Sequence, residues 1–142
     1  MKVAGVSLVV IGAVLVGGCA SRPEPQEVVV TAQGMTYAPA LIEVTAGTPV
    51  DLTLVNQDAL EHDLSVLEIP VESLSEANPM SLEHQMEMGE VAMEPVLHVA
   101  AEAGATNQLR FTPTSPGRYE FYCTVPGHKE AGMLGSLVVN AP

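Results

Sequence analysis

The chain has 142 residues, a length and apolar content that suit one globular domain. Its 17 acidic and 5 basic side chains give a formal charge of −12, which excludes nucleic acid as a partner because a phosphate backbone would be repelled. Tryptophan is absent and aromatics make up 4% of residues, with Gly and Pro frequent, a mixture that suits short strands and turns and points to an all-β fold.

The first residues, "MKVAGVSLVVIGAVLVGGC", combine a positive start with an uncharged apolar run ending at small residues. Residues 1–18 therefore read as an export signal peptide, the run being shorter than the roughly 18 or more apolar residues of a membrane-spanning helix. The segment "LVGGC" resembles the lipobox of bacterial lipoprotein precursors. That resemblance implies cleavage before Cys19, a lipid on its thiol, and an extracytoplasmic site, periplasmic or at the cell surface. An ordinary signal peptide or an uncleaved anchor is the alternative, but Val16, Gly17, Gly18 and Cys19 all stand at motif positions. With Cys19 acylated, Cys123 has no disulfide partner, and a lone thiol in an oxidising compartment requires burial or a metal. Residues 20–27, "ASRPEPQE", form an extended tether of about 25 Å at most, so the lipidated tether spans 19–27 and the domain 28–142.

From Val28, β-prone runs alternate with turn chemistry at residues 28–32, 41–46, 50–56 and 62–69, and again at 96–101, 107–114, 117–123 and 135–140. Their spacing is that of a sandwich or barrel. In "VDLTLVN", Val50, Leu52 and Leu54 share one face and Asp51 and Thr53 the other, the period of a strand with one wet side. Between the two sets lies an acidic segment, residues 70–95, read as an irregular or short-helical insertion. Within it "SLEHQMEMGEV" holds helix formers with Ser81 as N-cap and Gly89 as stop.

The chemistry concentrates in "FYCTVPGHKEAGML", where Cys123, His128 and Met133 each follow the last after four residues. Alternation puts Tyr119, Phe121 and Cys123 on one face, which buries the sulfur at the inner end of a strand. Pro126 and Gly127 then turn the chain and return His128 toward it. Thiolate and thioether suit Cu(I) and imidazole suits both copper oxidation states, so a type 1 copper site takes two imidazoles, one thiolate and a weak axial Met. The loop is one histidine short. His62 follows a strand and a turn-like "NQDALE", and is the choice for the second imidazole; spacing alone does not exclude His84 or His98. Any one of these residues alone favours a structural role, but together they favour copper. Zinc competes poorly because a structural zinc uses four strong ligands.

"YCTVPGHKEAGMLGSLVV" with the upstream "HDLSV" resembles the cupredoxins, the small type 1 blue-copper proteins, with plastocyanin-like members among them and a loop spacing closest to rusticyanin and auracyanin. The resemblance covers most of residues 28–142. It implies a Greek-key β-sandwich with one copper near one end, bound by His62, Cys123, His128 and Met133. Two departures stand out: Asp63 occupies a position that is often Asn in plastocyanin and azurin, and the 70–95 insertion has no counterpart there.

Four protein ligands leave no position for substrate, so the expectation is a monomeric electron carrier and not an enzyme. By the same resemblance, electrons leave through the edge of His128, framed by Val125, Pro126, Ala131 and Leu134. The negative charge would steer a basic partner such as a c-type cytochrome or a membrane electron-transfer complex, with the lipid membrane engaged through Cys19. The rival expectation is copper delivery or storage by the soft ligands His84, Met86, Met88, Met93 and His98. Against it, methionines readily pack an insertion onto a sandwich.

Overall fold

A computed structural model describes residues 23–76 and 94–142. Ten strands run through these residues: β1 Gln26–Gln33, β2 Thr36–Ala38, β3 Leu41–Thr45, β4 Val50–Asn56, β5 His62–Val66, β6 Val71–Glu76, β7 Leu97–Ala101, β8 Thr106–Pro113, β9 Gly117–Tyr122 and β10 Leu134–Asn140. They form two five-stranded sheets, ordered β2-β1-β4-β8-β6 and β3-β10-β9-β5-β7. The pairs β1/β4 and β3/β10 are parallel and the remaining pairs antiparallel. Among the described residues the fold is the all-β sandwich expected.

The sandwich forms because most strands carry one apolar face. In β4, Val50, Leu52 and Leu54 are buried while Asp51, Thr53 and Val55 are only partly covered, and Leu109 and Phe111 of β8 lie opposite Leu52 and Val50. The facing sheet contributes Ile42, Val44, Leu64, Val99, Phe121, Leu137 and Val139 to the same core. The ring of Phe121 meets Tyr37 edge-on at 5.2 Å between centroids, a favourable aromatic geometry.

Three differences from the expected elements have physical reasons. The first strand starts at Gln26, two residues before the expected run, because the Gln26 N–H donates to the Pro49 carbonyl (2.8 Å) and its side-chain oxygen accepts from the Thr45 N–H (2.8 Å). Residues 36–38 add the short strand β2 after a turn at Gly34, whose φ is 57°. The opening of the supposed irregular insertion is the edge strand β6, which pairs with β8 and carries a register shift between Val71 and Ser73. An edge strand with a bulge is wet on both faces, so alternation does not mark it. The helix expected over "SLEHQMEMGEV", like residues 1–22, lies outside the described residues.

The approach of β10 to β9 beneath the 123–133 loop requires glycine at position 135. A Cβ there would collide with the Phe121 ring and lie 2.6 Å from the Ala40 carbonyl oxygen, which is backbone and cannot give way cheaply. Gly135→Ala is therefore expected to destabilise the domain by about 1–3 kcal/mol, read as a lowered midpoint in denaturant unfolding.

Candidate metal centre

Alternation along β9 carries Cys123, one residue past the strand, onto the face of buried Phe121, where it is 1% exposed. The chain then turns: the His128 N–H donates to the Val125 carbonyl at 3.0 Å, and the Ala131 N–H to that of Gly127 at 3.0 Å. Gly127 and Gly132 hold φ of 86° and 100°, a region that residues with a Cβ avoid. The Met133 N–H donates to the His128 carbonyl at 3.0 Å, and the Cys123 N–H to the Met133 carbonyl at 3.2 Å. The backbone thus ties Cys123, His128 and Met133 to one another, and all three side chains are buried.

The second imidazole comes from β5, which lies beside β9 with Ser65 opposite Tyr122. His62 is fully buried. Its Nδ1 lies 3.2 Å from His128 Nδ1 and 4.0 Å from Cys123 Sγ, and Sγ lies 3.4 Å from His128 Nδ1. The ligand atoms of His62, Cys123 and His128 all fall within 4.8 Å of one another.

The electrostatics prepare these atoms for a cation. Asp58 Oδ2 lies 3.2 Å from His62 Nε2, and the hydrogen bond from His62 holds the Asp58 carboxyl below its usual range. A carboxylate only accepts, so Nε2 carries the His62 proton and Nδ1 turns a lone pair into the site. Burial, and then the neighbouring His62, lower the pKa of His128 and favour its neutral ring. Burial, and then Asp63, push the Cys123 thiol up to about 12. Two imidazoles and a thiol that only a bound cation would deprotonate near neutral pH are the donor set of a type 1 copper.

Around this set, Asp63 is completely buried. It accepts from the Thr124 N–H (2.9 and 3.1 Å), the Thr124 hydroxyl (2.8 Å) and the Ser65 hydroxyl (2.8 Å), and its Oδ2 lies 3.5 Å from Cys123 Sγ. The Tyr37 hydroxyl donates to the Asp63 backbone carbonyl. Burial, with Cys123 and Asp63 nearby, raises the Tyr37 pKa. His98 stands opposite Ser65 in the β5/β7 register and bonds it at 2.8 Å through Nδ1; it is not in the donor cluster.

Pro126, Ala131 and Leu134 are exposed, and Val125 is half-buried against the core. Cys19, His84, Met86, Met88 and Met93 lie outside the described residues. Asp58, Ser65 and Tyr37 are contributors that sequence reading missed. For Asp58 the available signal was a carboxylate four residues before the chosen histidine; for Ser65 and Tyr37 the chain offered none.

The family model for copper binding proteins of the plastocyanin/azurin family matches residues 25–140. The copper-resistant cuproprotein CopI of Rubrivivax gelatinosus is 31% identical over 122 residues, spanning 86% of this chain and 70% of the relative. CopI of Pseudomonas aeruginosa is 31% identical over 137 residues, spanning 74% and 71%. Among solved structures, auracyanin B superposes with a TM-score of 0.61 at 25% identity, covering 84% of this chain and 93% of that one. Auracyanin A, a "blue" copper protein of Chloroflexus aurantiacus, shares the fold with a TM-score of 0.58 at 22% identity, covering 82% and 100%. A family match over nearly the whole described domain, beside relatives of this identity, makes the chain a member of the plastocyanin/azurin family of copper binding proteins, with the cupredoxin fold and copper as the metal its donors fit.

Proposed function

We propose that the chain is a lipid-anchored, extracytoplasmic electron carrier that passes single electrons between redox proteins, and that it is not an enzyme. The observation that carries this reading is the closure of the donor set: His62, Cys123 and His128 converge within 4.8 Å, all buried. Met133 is buried beside them, with its backbone bonded to both Cys123 and His128. On this reading the two imidazoles and the thiolate form the plane and Met133 is the weak axial ligand. A bound copper would supply the one-electron chemistry, cycling between Cu(II) and Cu(I). The protein's part is to exclude water, to leave no open position for a substrate, and to hold the donors in one arrangement through both oxidation states.

Electrons would pass through the outer edge of His128, whose Nδ1 faces the site and whose residue keeps 6% exposure. The exposed Pro126, Ala131 and Leu134 with half-buried Val125 would form the apolar docking rim. A formal charge of −12 would steer a basic partner, such as a c-type cytochrome or a membrane electron-transfer complex, to a monomer held at the membrane by lipid on Cys19.

The names of the relatives favour a second reading, copper delivery or storage in copper resistance, using the soft ligands between His84 and His98. Metal counting separates the two. A carrier binds one copper and exchanges electrons without losing it, whereas a delivery protein binds additional Cu(I) and passes it to an apo acceptor.

Cu(II) loading of the mature domain is expected to give an intense visible thiolate-to-copper band, and a colourless product would sink the carrier reading. Cys123→Ser should abolish the band, while Met133→Gln should retain copper and shift its potential in voltammetry.

A pH dependence follows from the raised Cys123 pKa. Below that pKa the metal must displace the thiol proton, whereas the neutral His128 ring releases none near neutral pH. Apparent Cu(II) affinity should therefore rise about tenfold per pH unit between about pH 7.5 and about pH 9.5, measured by competition with a chelator. A flat profile would contradict the buried thiol.

A further inference from the structure

We propose that Asp58 is the positioning residue for the His62 ligand. Its carboxylate fixes the His62 tautomer and, as a negative charge behind the ring, favours oxidised over reduced copper. This inference rests on the copper-carrier reading and assigns the redox bias of that site to a named side chain.

The carboxylate is built into place. Asp58 Oδ2 accepts from the Gly34 N–H of the β1–β2 turn at 2.9 Å and from His62 Nε2–H at 3.2 Å, and Oδ1 accepts from the Ala59 N–H at 2.7 Å. The Asp58 N–H donates to Asn56 Oδ1 at 2.9 Å. The Asn56 amide is in turn anchored on the carbonyls of Leu60, Ala101 and Glu102 at 2.7, 2.8 and 3.0 Å. The carboxylate is thus aimed from both the β1–β2 turn and the loop that leads into β5. Its side chain is 25% exposed and that of His62 is 0% exposed, so the charge acts on the ring across a partly desolvated contact. A carboxylate behind a ligating histidine fixes the ring and raises its basicity. The gain is larger for the ion of higher charge, Cu(II), than for Cu(I).

A purely structural role, in which Asp58 only ties the Gly34 turn to the loop, makes different predictions. In Asp58→Asn the amide oxygen can still accept from Gly34 and His62 while the charge is gone, at the loss of the Ala59 N–H bond to Oδ1. The inference requires that this variant fold, bind one copper and keep its colour, but that its Cu(II) affinity fall about tenfold or more with Cu(I) affinity little changed. A tenfold loss confined to Cu(II) raises the midpoint potential by about 59 mV for one electron, read by voltammetry. An unchanged potential in Asp58→Asn overturns the inference.

A second readout needs no copper. Nitrogen-15 NMR of the apo domain should show His62 as the Nε2–H tautomer in wild type and a shifted tautomer population in Asp58→Ala, whose fold is checked by its amide spectrum. A retained Nε2–H population in a folded Asp58→Ala overturns the positioning role. Should Asp58→Ala not fold, the potential of Asp58→Asn decides alone. If the wild-type domain itself shows no thiolate-to-copper band, the carrier reading fails, while the apo tautomer measurement still tests the hold of Asp58 on His62.

Discussion

The metal centre depends on a buried carboxylate that joins two pieces of chain far apart in sequence. β5 and β9 pair at Ser65 and Tyr122, and at the end where the donors gather the side chain of Asp63 makes the connection by accepting both polar hydrogens of Thr124. A buried charge is tolerable only when its lone pairs are met by donors. Here the Thr124 N–H and hydroxyl, the Ser65 hydroxyl and the Cys123 thiol each have a hydrogen to give the carboxylate.

The same logic runs outward along the sheet. Because Asp63 only accepts, Ser65 must donate to it, and the lone pairs of the Ser65 hydroxyl are left for His98. His98 Nδ1 is therefore the protonated nitrogen, and a histidine that spacing alone left open as a ligand is occupied as a donor on the opposite face of β5 from His62. The pleat makes this separation: His62, Leu64 and Val66 point one way and Asp63 and Ser65 the other. Alternation within "HDLSV" thus assigns one histidine to the metal and pairs the other with the hydroxyl that supports the tie.

Much of this was legible in the chain, and the illegible parts share a cause. The core strands are visible because burial on one face imposes period two, as in β4, and the loop ligands are visible because a tight turn puts chemistry at fixed short spacing. β6 was not visible, because "VESLSE" lies at a sheet edge where both faces are largely wet and a register shift breaks the alternation. β2 is only three residues long. The position of Asp63 was noticed, yet its bonds could not be, since Thr124 meets it only once β5 lies beside β9. Asp58 likewise stands in a loop without periodicity, and its meaning comes from Gly34, 24 residues upstream.

The donors are held in place by bonds to the protein itself. Three loop residues are bonded to each other through backbone groups, and His62 is held on one side by β5 and on the other by Asp58. The conformational entropy of ordering the site is therefore charged to folding of the sandwich, whose core runs continuously into Cys123 and Met133. A site ordered in this way resists following the preferred geometry of whichever oxidation state it holds. On the carrier reading proposed above, the atoms expected to move least on electron exchange are those bonded to protein on every side.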